Sequence, residues 1–350
     1  MAFVLNSDIT IGIPGTNQFR FSGVHSIYIK RSMHSFVDTA VISLPSVSKV
    51  KYKNKLEPIE LTTSTIWNDG DPVTISLGYN KTMQEEFRGF IRRRNLNMPL
   101  EIECEGYSWL LKKNKISGSW KSISVEDLLK LAVSGLPNIG NTSSQIKLTC
   151  IADITLCNVQ LSSFTGAEVI EYIHRATDHV LTIFFINPDE LWCGLPYTDI
   201  ANNSSMLGSN SVQLKLGYNT IKENSLKQRT LDDNKLTVLY KKRLSTGQTV
   251  SGIYTSTISQ KQYKKLLTQV ADEVSLKKLA VEKQLQENYN GYEGNISGFL
   301  QPYTLPGYSA LIKDKRYPQR DGIYLVESTE VSFGTTGGRR AFEIGKMFNN

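Results

Sequence analysis

The chain has 350 residues, of which 40% are hydrophobic and 21% are charged, and its formal net charge is +7. This composition excludes a disordered chain, and the length exceeds what one hydrophobic core usually holds, so we expect two to four domains. No apolar run reaches the ~18 residues of a membrane-spanning helix, and residues 1–13 lack the pattern of a secretory signal. The positive charge leaves contact with nucleic acid or an acidic partner open, although the basic residues are dispersed.

The first strand-like region covers residues 1–115. Residues 25–31, 39–44, 73–77 and 100–104 alternate between apolar and polar side chains, which is the period of a strand with one buried face. Short strands between Gly, Pro and Asn turns favour a barrel or a sandwich. We therefore predict a first β-barrel domain over residues 1–115.

The hydrophobic period changes to that of helices in residues 116–205. Ser124 precedes one helical pattern, and Thr165 with Glu168 forms a capping box before a second one. An apolar strand pattern follows at residues 180–186. The sequence therefore predicts a small α+β domain over residues 116–205.

Strand patterns return in residues 206–245 and 293–350, which we predict to form a second β-barrel domain together. Residues 246–292 are rich in Lys, Gln and Glu and predict a helical insert domain in this barrel. The apolar stripe of the insert comprises Leu266, Leu267, Val270, Val274, Leu276, Leu279 and Leu285. The predicted fold class is α+β and mainly β, with two similar antiparallel β-barrel domains.

The similarity of the two barrels follows from the order of their patterns. Each has a turn, an alternating strand, a strand that begins with Gly and an aromatic residue, and a closing alternating strand. These patterns occupy residues 71–80, 87–91 and 99–106 in the first barrel, and 305–314, 322–328 and 337–345 in the second.

Metal and nucleotide sites have little support in the residue spacing. His174 and His179 are five residues apart, whereas the histidines of a metalloprotease helix are four apart with Glu beside the first. Residues 334–340 are rich in Gly but lack the spacing of a phosphate-binding loop, and we predict a hairpin turn there. The four cysteines have no C-x-x-C spacing, so free thiols in a reducing compartment are expected for Cys104, Cys150, Cys157 and Cys193.

Three glutamates are candidates for acid–base chemistry. Glu101, Glu103 and Glu105 are two residues apart in a strand pattern, so they share one face of that strand. No pocket pattern accompanies them, and we expect an acidic outer wall of the barrel or an edge that faces a partner. The sequence also lacks G-x-S-x-G. We predict no catalytic, cofactor-binding or metal-ligating residue, and no enzymatic activity.

Over nearly its whole length the chain resembles the baseplate hub proteins of contractile-tailed phages, both Mu-like and T-even-like, and the hub half of type VI secretion spikes. The order of the matching segments carries the resemblance. They are Gly78-Tyr-Asn80, Phe87-Arg-Gly-Phe-Ile91, Ile102-Glu-Cys-Glu-Gly106, Trp109-Leu-Leu-Lys112, the helix pattern at 124–133, residues 217–226, Gly298-Phe-Leu-Gln-Pro302, Leu305-Pro-Gly307 and residues 321–334.

The resemblance implies a structural role. Two barrels in each chain of a homotrimer would make a pseudo-sixfold ring, which adapts a sixfold tail tube to a threefold spike and lets DNA pass in transit. The implied partners are a second and third copy of the chain, the tail tube protein, a trimeric spike protein and baseplate wedge proteins. Because the chain ends soon after the second barrel, we expect the spike to be a separate protein. The implied location is the virion tail baseplate, after assembly in the host bacterial cytoplasm.

Other functions remain open at this point. Within a related class, the chain is compatible with the hub of a non-contractile tail, of a phage-derived bacteriocin or of a secretion spike. A nucleic-acid-binding β-barrel protein is the alternative from a different class, and strong salt-dependent affinity for DNA would favour it. An enzyme would need an ordered pocket with a perturbed titratable pair.

Overall fold

The structure is a computed structural model, and it is mainly β with a few helices, which confirms the predicted class. It describes residues 4–45, 47–50, 59–62, 66–139, 145–198, 211–230, 236–243, 249–254, 262–266, 268–287 and 289–348.

The first part of the chain forms a curled sheet around one core. Its strands are β1 (Leu5–Ile11), β2 (Phe19–Phe21), β3 (Ser26–Ser32), β4 (Ser35–Leu44), β5 (Val47–Val50), β6 (Ile59–Thr62), β7 (Pro72–Tyr79), β8 (Thr82–Asn95) and β9 (Leu100–Glu105). They are ordered β2-β1-β7-β8-β9-β4-β3, while β5 and β6 pair apart from the sheet. Alternate residues of the seven strands point into a shared core that includes Ile9, Ile29, Ile42, Ile75 and Ile102.

The α+β module follows. It contains α1 (Ser108–Leu111), β10 (Ile116–Ser124), α2 (Val125–Val133), β11 (Lys147–Cys150), β12 (Thr155–Phe164), α3 (Gly166–Ala176), β13 (Thr182–Asn187) and β14 (Glu190–Gly194). Both predicted helix starts are confirmed. The Ser124 hydroxyl accepts the backbone N–H of Asp127 at 3.0 Å, and Thr165 with Glu168 forms the capping box.

The predicted helical insert is partly wrong, because three strands precede its helix. These are β17 (Leu236–Arg243), β18 (Thr249–Tyr254) and β19 (Gln262–Leu266), and α4 covers only Glu273–Glu287. β17 pairs with β18 and β19 in a sheet of its own, so it does not return to the second barrel as predicted. The Lys-rich sequence of this region favours a helix, but the pairing of β19 with β17 outweighs that preference.

The apolar stripe predicted for the insert is only partly used. Leu276 and Leu279 of α4 are buried in the core of the α+β module, and Val270 is buried there just before the helix. Val274 is exposed, while Leu267 lies outside the described residues. No helix in the described ranges has the length and apolar character needed to cross a membrane.

The remaining strands form the second curled sheet. They are β15 (Ser211–Lys215), β16 (Thr220–Arg229), β20 (Gly291–Gly298), β21 (Ser309–Lys313), β22 (Gly322–Gly334) and β23 (Gly337–Phe348), with a 3-10 turn at Pro318–Arg320. Their order is β16-β20-β23-β22-β21-β15. A smaller core lies inside, with Ile296, Ile312, Tyr324, Phe342 and Ile344 at its centre.

The two sheets repeat each other strand by strand. We call one set of six strands the first repeat; it comprises β1, β3, β4, β7, β8 and β9. The second repeat comprises β15, β16, β20, β21, β22 and β23, which correspond to them in chain order. Corresponding strands have the same neighbours within their repeats. One strand departs from the match, because β1 runs antiparallel to β7 whereas β15 runs parallel to β21. The predicted similarity of the two barrels is therefore confirmed, with a reversed strand at one position.

The turn before the equivalent strands β7 and β21 is also repeated. Gly70 donates to the carbonyl of Ile91 at 2.8 Å, and Ile91 donates to the carbonyl of Asp71 at 2.9 Å. In the second repeat Gly307 donates to Val326 at 2.8 Å, and Val326 donates to Tyr308 at 2.9 Å. Both glycines have φ in the left-handed region, 94° and 83°, which residues with a Cβ rarely adopt.

Candidate assembly interface

The two repeats are joined by one pair of strands. β3 pairs antiparallel with β22, from Ser32 opposite Ser328 to Ser26 opposite Gly334, so both repeats belong to one 13-stranded sheet. On one face of this pair, Val331 and Phe333 enter the core of the first repeat. On the other face, Lys30 and Glu330 form an ion pair at 2.9 Å. We call the pairing of β3 with residues 328–334 the intrachain joint.

A buried ion pair crosses the intrachain joint. Arg340 of β23 donates to Glu86 of β8 at 2.5 Å, and both side chains are buried. Arg340 also donates to the carbonyls of Leu300 and Thr304, each at 3.3 Å. Burial raises the pKa of Glu86, and the Arg340 guanidinium opposes that rise. The pair is thus surrounded by protein and connects β23 of the second repeat with β8 of the first.

A second buried ion pair connects the joint to the α+β module. Arg31 of β3 donates to Asp38 at 3.0 Å and to the carbonyl of Phe185 in β13 at 3.0 Å. Burial raises the pKa of Asp38, again against the effect of its arginine. Arg31 therefore ties β13 to the strand that carries the joint.

Glu327 gathers a third set of contacts at the end of the joint. The Tyr197 hydroxyl donates to Glu327, whose other oxygen lies 3.1 Å from Nε2 of His34. Burial and the Glu327 charge raise the pKa of Tyr197 well above its ordinary value. Glu282 of α4 accepts the backbone N–H groups of Tyr197 and Thr198 at 3.0 and 2.9 Å. The first repeat, the second repeat, the module and α4 therefore meet here.

Three histidines line a cavity of about 380 Å³ beside this meeting point. They are His34, from the turn between β3 and β4, His174, from the last turn of α3, and His179, from the turn that follows α3. The rings of His174 and His179 have centroids 6.1 Å apart. Burial, with a smaller effect of His179, lowers the pKa of His174 to about 4. From the sequence, only His174 and His179 could be considered together, because His34 comes near them only in the folded chain.

Among the residues that the structure describes, no three His, Cys, Asp or Glu side chains lie together as a metal site would require. None of the four cysteines forms a disulfide; Cys104 and Cys193 are buried, while Cys150 and Cys157 are half-buried. The predicted hairpin at residues 334–340 is confirmed, since Gly334 pairs with Gly337. Its last residue, Arg340, instead supplies the buried guanidinium of the joint, which the sequence analysis missed.

The expected acidic outer wall is wrong for one of its three residues. Glu101 and Glu103 are half-exposed, and Glu103 accepts from Arg93 at 2.6 Å. Glu105 is fully buried and accepts from Ser108 at 2.8 Å and from Lys112 at 2.6 Å. The cause is helix α1, which turns back over the end of β9 and covers this carboxylate.

Comparison with known proteins rests on structure alone. No protein-family model matches the chain, and no curated protein matches it by sequence. A tail protein of Neisseria meningitidis MC58 is similar with a TM-score of 0.64 and 12% identity, covering 97% of this chain and 96% of that one. The 43 kDa tail protein of prophage MuSo2 from Shewanella oneidensis has a TM-score of 0.57 and 13% identity, covering 97% and 98%.

An E. coli component of the type VI secretion system is also similar, with a TM-score of 0.51 and 8% identity, covering 93% of this chain and 74% of that one. The likeness to all three structures extends over nearly the whole chain rather than over one barrel. The chain therefore has the fold of these phage tail proteins and of this secretion-system component.

Proposed function

We propose that this protein is a structural hub of a phage or phage-like tail. The observation that carries the proposal is the fold shared with two phage tail proteins over almost the full length of both chains. A hub must accommodate a change of symmetry, and a chain with two similar repeats suits that task. Three such chains present six similar edges in a ring whose true symmetry is threefold.

The proposed assembly is a homotrimer with a central channel. Its pseudo-sixfold side would contact the tail tube, its threefold side would seat a trimeric spike, and wedge proteins would surround it. DNA would pass through the channel in transit. This places the protein in the baseplate of the virion tail, after assembly in the host cytoplasm. Hubs of non-contractile tails, of phage-derived bacteriocins and of secretion spikes share this architecture and remain alternatives.

We retain the predicted domain division as part of the proposal, with one change. The first barrel covers residues 1–115 and the α+β domain covers residues 116–205. The second barrel comprises one segment that begins at residue 206 and ends before β17, and another that covers residues 293–350. The insert begins before β17 rather than at 246, because β17 pairs only with β18 and β19 among the described strands. Packing of Leu276 and Leu279 in the core of the module supports an insert that is docked on the α+β domain.

Ion pairing argues against a nucleic-acid-binding barrel. Four basic side chains already have acidic partners within 3.2 Å. The pairs are Arg93 with Glu103, Arg94 with Asp69, Lys313 with Asp321, and Arg320 with Asp314. Such pairs reduce the number of charges that can replace counterions on DNA.

Native mass measurement tests the trimer. Three chains of 39.3 kDa predict a species of about 118 kDa for the protein alone, or a complex that contains three copies of this chain once the spike is added. A complex with another subunit count in both samples would contradict the proposal. Tight binding to DNA that weakens steeply with salt would support the nucleic-acid alternative instead.

A further inference from the structure

Within the described residues, the intrachain joint has no counterpart at the other end of the sheet. β3 of the first repeat has β4 on one side and β22 on the other. Its equivalent, β16, pairs with β20 and is the terminal strand of the sheet within the described residues. β16 therefore presents a strand edge in the place where β3 is covered. An uncovered edge of this length is a template for pairing with another chain.

β22, the strand that covers β3, corresponds to β8 in the first repeat. The hydrogen bonds of the repeated turn align the residues of these two strands. Ile91 and Val326 occupy the same place in the repeated turn, and they lie opposite Cys104 and Ile344. Beyond a bulge in each strand, Arg93 lies opposite Glu103, as Ser328 lies opposite Glu343. Counting onward from Arg93 and Ser328 in parallel places Leu96 at the position of Val331, and Met98 at the position of Phe333.

These equivalent residues differ sharply in exposure. Val331 and Phe333 are 2% and 9% exposed because they fill the core of the other repeat. Leu96 and Met98, at the tip that follows β8, are 75% and 88% exposed. Burying an apolar side chain of this size stabilises an interface by ~1.5–3 kcal/mol. The tip thus carries apolar side chains at the positions that are buried in the intrachain joint, but in the described chain these side chains are exposed.

We propose that the tip at residues 95–99 docks on the β16 edge of a second copy of this chain, as residues 328–334 dock on β3 within one chain. Leu96 and Met98 would then pack beside Leu226, which lies on β16 and is only partly buried against the second core. We call this contact the interchain joint. Its closure into a threefold ring rests on the proposed function, but the pairing itself rests on the internal repeat.

The interchain joint is a heterologous contact, because the tip and the β16 edge are different surfaces of the chain. A contact of this kind extends from copy to copy and makes a ring if the rotation closes. Intrachain and interchain joints would alternate around such a ring, so that every strand in the position of β3 has a partner on both sides.

Cysteine pairs test the proposed register directly. Lys30 lies opposite Glu330 in the intrachain joint, and the same counting places Lys227 opposite Asn95 in the interchain joint. We expect Asn95→Cys and Lys227→Cys, carried on separate copies that are then mixed and oxidised, to give a disulfide-linked dimer. Directly opposed residues of neighbouring strands lie within the Cα separation that a disulfide spans.

The matched control is the double variant with Lys30→Cys and Glu330→Cys, which should close a disulfide inside one chain and give no dimer. Unsubstituted protein controls for the four native cysteines. If the intrachain control closes but the mixed variants give no dimer, the proposed joint is overturned.

A second variant tests the apolar contact without engineered thiols. Leu96→Ser with Met98→Ser changes only exposed side chains, so the fold should be kept, and we expect self-association to weaken at least ~tenfold. Val274→Ser, at another exposed apolar site on α4, should leave self-association unchanged. The proposed contact is contradicted if self-association weakens equally in both variants, or if it weakens in neither.

The outcomes separate this inference from the hub proposal. A threefold ring without the dimer cross-link contradicts the interchain joint and leaves the hub standing. The cross-link in an assembly without threefold symmetry supports the joint and contradicts the hub. A chain that stays monomeric at high concentration and with its spike contradicts both.

Discussion

Arg340 is one of the largest fully buried side chains in the described structure, and it lies between the two repeats. A buried ion pair is weak evidence for stability, because desolvation offsets much of the attraction. The pair instead contributes to orientation, since Arg340 reaches the Glu86 carboxylate of the first repeat while the carbonyls of Leu300 and Thr304, in the second repeat, hold the guanidinium in place. We interpret this arginine as a residue that fixes the geometry of the intrachain joint.

Loss of the guanidinium should therefore be costly. Arg340→Met leaves the Glu86 carboxylate buried without its partner, and we expect the free energy of unfolding to fall by about 3–5 kcal/mol in a urea titration. Arg93→Met removes an exposed partner of Glu103 and should leave the unfolding midpoint nearly unchanged. Similar effects of the two substitutions would show that burial of the Arg340 pair has no special role.

The histidines of the cavity respond to pH in opposite directions. Burial depresses the pKa of His174, so its contribution to stability is present above pH 6.5 and is lost as the pH falls toward the folded value of about 4. The hydrogen bond to Glu327 raises the pKa of His34, so its contribution is present below pH 6.5 and is lost as the pH rises through its folded pKa.

This opposition predicts different acid responses for two variants. Between pH 7 and pH 5, we expect His174→Gln to lose about 1–2 kcal/mol less stability than the unsubstituted protein, given a folded pKa of about 4. His34→Gln should lose more than the unsubstituted protein over the same interval, because it lacks the favourable protonation beside Glu327. Urea titrations at both pH values measure this difference, and parallel behaviour of the two variants would contradict it.

At the scale of elements, α4 links the insert to the α+β module. Leu279→Ala opens a cavity in the core of the module, and we expect a loss of about 2–5 kcal/mol of unfolding free energy. Val274→Ala, on the exposed side of the same helix, has the same helix environment without the cavity and should change stability little. Equal effects would mean that α4 is not part of that core.

Elements that depend on neighbouring residues were predictable from the sequence. Ser124 and Thr165 mark their helices because a capping side chain reaches backbone N–H groups only three residues away. The strand pattern of residues 206–245 included β17, but its pairing with β19 was not predictable, because Leu236 pairs with Gln262 and nothing in either segment specifies the other. The prediction that Glu105 is exposed was wrong for a similar reason, since its burial depends on how α1 turns after the strand.

At the scale of the whole molecule, the repeat could be predicted but the joint could not. Alternation in residues 322–328 and 337–345 identified the strands and their order. The same alternation does not reveal that Val331 and Phe333 fill the core of the other repeat, because a strand residue can face its own core or a neighbouring one. Arg340 and Glu86 were likewise invisible as a pair, being 254 residues apart.

Electron microscopy of the purified protein, alone and with the proposed spike protein, would show directly whether three chains form a hub. We predict class averages with true threefold symmetry, six similar lobes and a central hole, since each of three chains would contribute two repeats. Compact single-chain particles in both samples, or rings whose lobe number is not six, would contradict the hub.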